Sequence, residues 1–325
     1  MCLTLRYKVL SLSLFLVMVC LSGKAQIMPF GLLQNSNGSS AGVQATGGTV
    51  TDITDKGVNY RVHTFTTSGN FIVTVGGEVE YLIVAGGGGG GANHAGGGGA
   101  GGLLTNVGSI PLVVNSQSYA VTVGVGGAKS TNFTNTAALN GGNSSFATFT
   151  AIGGGGGGNR RDNGTAGLEF GKSGGSGGGG GGQGSNNTPT ITGGTATSGQ
   201  GFAGGTASFH AGAGGGGAGG VGETTFGSVG GNTSTTYPGD GGPGLSSSIS
   251  GTTKWYAGGG GGGGWINGPF AGFGGSGVGG DGQINGSQRV NGTANTGSGG
   301  GGANGGGNTN GGNGGSGIVI IRYVR

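Results

Sequence analysis

The chain has 325 residues, 98 of them glycine, with 13 Lys+Arg against 9 Asp+Glu and a net charge of +4. Glycine near one-third with only 6 prolines and no sustained Gly-X-Y frame excludes collagen, and no Lys/Arg cluster offers a nucleic-acid footprint. Both cysteines, Cys2 and Cys20, fall in the first 25 residues, so the remainder has neither disulfides nor cysteine-ligated metals.

Residues 1–25 read as an export signal. Arg6 and Lys8 form a basic start, Val9 to Leu21 an apolar stretch, and Gly23-Lys24-Ala25 a small-residue cleavage site before Gln26. The apolar stretch is too short for a membrane span, so no stable span is expected once the signal is removed. Its removal takes away Arg6, Lys8 and Lys24 and lowers the net charge to about +1. Residues 26–47 are polar and Gly/Ser/Asn-rich and read as a linker; residues 48–325 form the predicted domain.

Strand signals begin at Thr49. Asn59 to Phe65 alternates, with Tyr60, Val62 and Thr64 on one face and Arg61, His63 and Phe65 on the other. A turn at Ser68-Gly69-Asn70 leads into Phe71 to Val75, and Gly76-Gly77 into Val79 to Ala85. Tyr119 to Val123, Phe146 to Ile152 and Ile318 to Val324 are further strands. After the signal no segment has helical periodicity, and frequent glycine penalises a helix by about 1 kcal/mol per residue.

Between the strands lie glycine runs: 86–91, 153–158, 177–182 and 258–264. Fixing each residue costs about 1–2 kcal/mol of backbone entropy, so an isolated run stays unfolded. Extended threefold helices with about 3.1 Å rise per residue can order such runs side by side. With no Cβ, they exchange backbone hydrogen bonds in several directions, and Cα–H···O contacts add to these. Run 258–264 would span roughly 22 Å. An inward side chain would force neighbours apart, which accounts for interruptions that are mostly Ala, Ser or Asn.

Val79-Glu80-Tyr81-Leu82-Ile83-Val84-Ala85 followed by six glycines resembles a glycine-rich domain of phage tail-fibre adhesins and exported bacterial proteins. The likeness continues through Gly96 to Leu104, Tyr119 to Gly124, Gly141 to Phe146 and Gly314 to Tyr323. The resemblance implies an all-β fold, a jelly-roll or TNF-like β-sandwich with an inserted polyglycine-II bundle. It also implies that loops joining the glycine helices form a receptor-binding tip.

Sites of other kinds find little support. Gly171-Lys172-Ser173 lacks the glycine a phosphate loop needs five residues earlier, where Ala166 stands. Asp240 and Asp281 fit no calcium repeat, His63, His94 and His210 have no metal-ligand spacing, and the closest carboxylate pair, Glu78/Glu80, reads as solvating a strand edge. No cofactor, metal or enzymatic activity is expected. The richer signal is in the loops: Asn159-Arg160-Arg161-Asp162-Asn163 is the densest charge cluster, and Trp265 to Phe270 places two large aromatics around a turn. His210, Tyr237 and Phe273 belong to similar stretches. Arg160, Arg161, Asp162, His210, Trp265 and Phe270 are the candidate ligand-contacting residues. Trp265 and Phe270 are equally suited to capping the bundle, and Trp255 and Tyr256 are better suited to it. The expected function is a secreted or cell-surface adhesin-like protein whose partner is a glycan or an outer-membrane receptor. A structural envelope component without ligand and an ice-binding protein are the alternatives.

Overall fold

The computed structural model describes residues 42–131, 136–160, 167–183, 190–208, 210–227, 236–265, 268, 270–284, 290–305 and 309–325. The expected export signal and residues 26–41 of the polar stretch lie outside the described residues. The architecture is all-β, and its only helical turn among the described residues is a 3-10 turn at Gly275–Gly277.

Two antiparallel sheets face each other. One holds β1 (Gln44–Thr46), β4 (Gly69–Val75), β8 (Ser118–Thr122), β9 (Ser144–Phe146) and β10 (Phe149–Ala151), in that order. The other runs β2 (Thr49–Asp55), β3 (Val58–Phe65), β13 (Ile318–Val324), β5 (Gly77–Val84) and β6 (Leu103–Thr105), with β7 (Leu112–Val114) also pairing β5. Alternation decides what fills the space between them. Phe71 and Val73 from one sheet meet Phe65, Tyr81, Ile83, Val319 and Ile321 from the other, with Phe146 in T-shaped contact with Phe71. The second sheet's outer face is also sealed: Val62, Leu82, Val84, Ile318 and Ile320 pack against Ile249 and Tyr256 of the hairpin β11 (Leu245–Ser247) and β12 (Lys254–Tyr256). Buried on both faces, β5 and β13 carry the continuous apolar runs that mark them in the sequence.

Three features differ from the sequence expectation. Phe146 to Ile152 is not one strand but the hairpin β9–β10, which turns through Ala147 with φ 52°. Ala147-Thr148 carries no glycine or asparagine to announce that turn. Strand β1 lies inside the stretch read as linker, where Ala45 pairs with Val73 and Val43 is buried. Glu80 lies on an interior strand, not an edge, and binds the buried Arg322 at 2.6 Å; Arg322 also reaches Asp55 at 3.0 Å and lies over the Tyr60 ring.

The glycine tracts form a hexagonal array around segment 95–101. Gly96 donates to Gly158 and accepts from Gly91; Gly97 donates to Ala213 and accepts from Gly179; Gly98 donates to Gly300 and accepts from Gly260. Three residues on, Gly99 returns to the first pair of neighbours, donating to Gly155 and accepting from Gly88. A repeat of three with negative φ throughout the runs is the left-handed polyglycine-II helix. The six surrounding segments are 86–91, 153–158, 176–182, 212–217, 258–264 and 298–303, and they bond to one another as well.

Among the described residues a second ring surrounds the first and is complete except at one corner, beside 153–158. There the amide side chains of Asn140 and Asn143 accept from the Gly156 and Gly153 N–H groups at 3.0 and 2.8 Å. They stand in for the missing backbone. The directions of these pairings put 86–91 leading away from β5 and 95–102 returning to β6, so the turns between segments alternate between the sandwich end and a far end. One backbone hydrogen bond contributes about 1 kcal/mol net, roughly what ordering one glycine costs. The runs therefore depend on strands β5, β6, β10 and β13 to hold their ends in register.

Candidate functional site

The far end of the bundle gathers the loops that the sequence separates. Its centre is the shortest turn, Ala92-Asn93-His94, which joins the two segments 86–91 and 95–101. Asn93 and His94 sit at φ 62° and 47°, a left-handed conformation to which short polar side chains are best suited.

Five chain segments ring this turn. The Ala92 N–H donates to the Asn159 side-chain oxygen at 3.0 Å, and the Arg160 N–H donates to the Ala92 carbonyl at 3.2 Å. The Gly182 N–H donates to the His94 carbonyl at 2.6 Å. His94 Nδ1 donates to the His210 carbonyl at 2.7 Å. The Trp265 ring lies 4.8 Å from that of His94 and 4.4 Å from that of His210. On the fifth side Gly305 lies so close to the imidazole that any Cβ there would overlap it.

Burial sets the charge state of this cluster. His94 is 1% exposed, and burial lowers its pKa to about 3, opposed by its hydrogen bond to the His210 carbonyl and reinforced by the charges of Arg160 and His210 nearby. The imidazole is therefore neutral at ordinary pH, and with Nδ1 donating, Nε2 presents a lone pair. Burial lowers the His210 pKa too, opposed by its hydrogen bond to the Gln183 backbone.

A second aromatic group lies on the same end. Phe226 and Tyr237 stack at 4.8 Å and 10°, held by reciprocal backbone hydrogen bonds, and Tyr237 meets Phe270 at 4.4 Å. Phe226 is 65% exposed and Phe270 39%. The 265–270 loop thus joins an inner cluster, through Trp265, to an outer one, through Phe270.

Of the sequence candidates, Arg160, His210, Trp265 and Phe270 are all at this end, the first three around one turn. Arg161 and Asp162 lie outside the described residues. Trp255 and Tyr256 belong to β12 at the sandwich end, where Tyr256 is buried in one cluster with Ala100, Ala218 and Ala257 at the ends of the glycine segments, while Trp255 is 47% exposed. Asn93, His94 and Phe226 were missed. Asn93-His94 had one usable signal, a polar pair set between the glycine runs 86–91 and 96–99. Phe226 had none.

A family model described as a glycine-rich domain matches residues 65–324. The chain belongs to this family. No curated protein matches it. The match takes in the whole bundle and strands β4 to β13, and leaves out β1, β2 and all but the last residue of β3. Among its described residues no group of three His, Cys, Asp or Glu is placed to hold a metal ion, and no helix is long and apolar enough to cross a membrane. What the tip offers chemically is aromatic faces, neutral imidazole and side-chain amide.

Proposed function

We propose that this glycine-rich domain is an exported, non-enzymatic, adhesin-like module that contacts a cell-surface glycan or receptor through the far end of its bundle. One observation carries the reading: Arg160, His210, Trp265, Tyr237 and Phe270, drawn from separate loops, converge on one end of a rigid array. The sandwich is at the opposite end. Aromatic side chains joined to polar tips are the groups that dominate recognition surfaces, because they bury much area at low entropic cost. The polyglycine array suits a spacer role, since backbone hydrogen bonds in every direction leave it little freedom to bend. The basic, apolar start of the sequence supports export.

The test is binding of the labelled, exported protein to whole bacterial cells and to a polysaccharide panel, beside a Trp265→Ala/Phe270→Ala double variant. Saturable binding is expected, with at least a tenfold loss in the variant at an unchanged melting temperature. Absence of binding to every surface would replace the adhesin reading with that of a structural envelope component.

A further inference from the structure

The outer aromatic group at the tip continues down one flank of the bundle. Three residues make one turn of a polyglycine-II helix, so residues three apart leave it on the same side, about 9 Å apart along its axis. Four neighbouring outer segments, 223–226, 237–240, 270–273 and 281–284, use that period in step. The Glu223 N–H donates to the Asp240 carbonyl at 2.8 Å, the Gly241 N–H to the Phe273 carbonyl at 2.8 Å, and the Gly282 N–H to the Gly272 carbonyl at 2.9 Å. Phe226, Tyr237 and Phe270 form the row nearest the tip. One turn below them come Glu223, Asp240, Phe273 and Asp281, joined by the same bonds. Phe226 is 65% and Phe273 71% exposed, and Glu223 and Asp281 are exposed as well.

The carboxylates of this flank differ in pairing from those of the sandwich. There Asp52, Asp55 and Glu80 are held by Arg61, Arg325 and Arg322. Among the described residues no ion pair reaches Glu223, Asp240 or Asp281. Asp240 and Asp281 each accept one backbone N–H through Oδ1, from Phe273 at 2.6 Å and from Gly274 at 2.7 Å. Those bonds fix segment 270–275 and leave the negative charge without a cation. The flank therefore repels an anionic partner, and a neutral one would leave three charges uncompensated. An aromatic face attracts a cation, and a guanidinium can lie flat on a ring while its N–H groups reach a carboxylate. We propose that this flank is a docking face for an arginine-rich segment of a partner protein. Its guanidinium groups pack on Phe226 and Phe273 and pair with Glu223, Asp240 and Asp281. This deepens the adhesin reading, making the receptor a basic protein surface, and rests on it.

The test titrates the full exported protein into fluorophore-labelled octa-arginine, octa-lysine, octa-glutamate and neutral dextran while anisotropy is followed. Octa-arginine is expected to bind saturably, more tightly than octa-lysine because the planar guanidinium both stacks and forks, and more weakly as salt rises. The triple variant Glu223→Gln/Asp240→Asn/Asp281→Asn removes the charges and keeps an acceptor oxygen at each position. It is expected to weaken octa-arginine at least tenfold with an unchanged or higher melting temperature. Glu223→Gln alone, at a side chain with no bond among the described residues, guards against a folding fault in the triple variant and weakens binding about threefold. Phe273→Ala removes an exposed ring and is expected to weaken it about fivefold.

No binding of octa-arginine overturns the docking face. So does equal affinity for octa-lysine, or an affinity for octa-arginine that neither the charge variants nor Phe273→Ala change. Saturable binding of dextran alone would make the flank a sugar surface and overturn it too. Loss of the docking face is separable from loss of the adhesin reading. If cells still bind in a Trp265- and Phe270-dependent manner and the triple variant binds them equally, only the docking face fails. If neither cells nor octa-arginine bind, both fail.

Discussion

The sandwich and the glycine bundle are continuous in chain but are held together by different physics. In the sandwich, side chains do the packing: Phe71, Ile83, Phe146 and Ile321 are fully buried, and the strands position them. In the bundle the backbone packs directly on backbone, and almost every N–H and C=O points at a different neighbour. A side-chain core adjusts to small changes by shifting rotamers. A polyglycine array cannot, because its spacing is set by hydrogen-bond length and contains no rotatable group. One protein therefore combines a tolerant base with an intolerant shaft.

The largest expected effect tests that intolerance. A Cβ added at Gly98 would overlap the Gly88 carbonyl oxygen at the centre of the array, so Gly98→Ala is expected to cost more than about 4 kcal/mol, in the range reserved for severe disruption. Gly108→Ala is the control: Gly108 has nothing within reach of an added Cβ, and its φ of 72° limits the cost to about 1–2 kcal/mol. Calorimetric melts of the two variants check the difference, and equal losses would mean that backbone spacing does not limit the bundle.

A smaller effect separates the regions by pH. In the folded state His94 stays neutral down to about pH 3, whereas an unfolded histidine takes up a proton below about 6.5. Its contribution is present above that value and is lost as pH falls from about 6.5 towards 3. The melting temperature should drop by roughly 5 °C between pH 7.5 and 4.5. His94→Asn, which suits the left-handed backbone, should remove part of that slope. His63 in the sandwich shifts in the same direction, because burial outweighs its bond to the Gly47 carbonyl. A slope unchanged in His94→Asn but lost in His63→Asn would assign the acid sensitivity to the sandwich, and one lost only in His210→Asn would keep it at the tip.

The smallest effect marks the tolerant side. Ile83→Val in the sandwich core removes one methylene and should cost about 1 kcal/mol, measured by urea unfolding. A loss comparable to that of Gly98→Ala would dissolve the contrast.

Strands β3, β4, β5, β8 and β13 were readable because apolar side chains alternate, or run continuously where both faces are buried. The short strands β6, β7, β11 and β12 were not, since three residues carry too little pattern. Their pairing comes from neighbours distant in sequence, as when Leu103 pairs with Val84. The candidate site was legible in kind and only partly in membership. Trp265 and Phe270 stand out by size among glycines. His94 and His210, 116 residues apart, have no local sign of their contact.

Local chemistry by itself marked the apolar words as strands and allowed the runs to pack as extended threefold helices, because glycine disfavours the α-helix and has no side chain to hold neighbouring runs apart; the sandwich was implied by the family resemblance. Which run lies beside which was decided by the tertiary structure alone. Glycine helices are interchangeable in sequence, so only the strands that hold their ends and the hexagonal arrangement of backbone hydrogen bonds assign Gly97 to Ala213 and bring distant segments to Ala92 and His94.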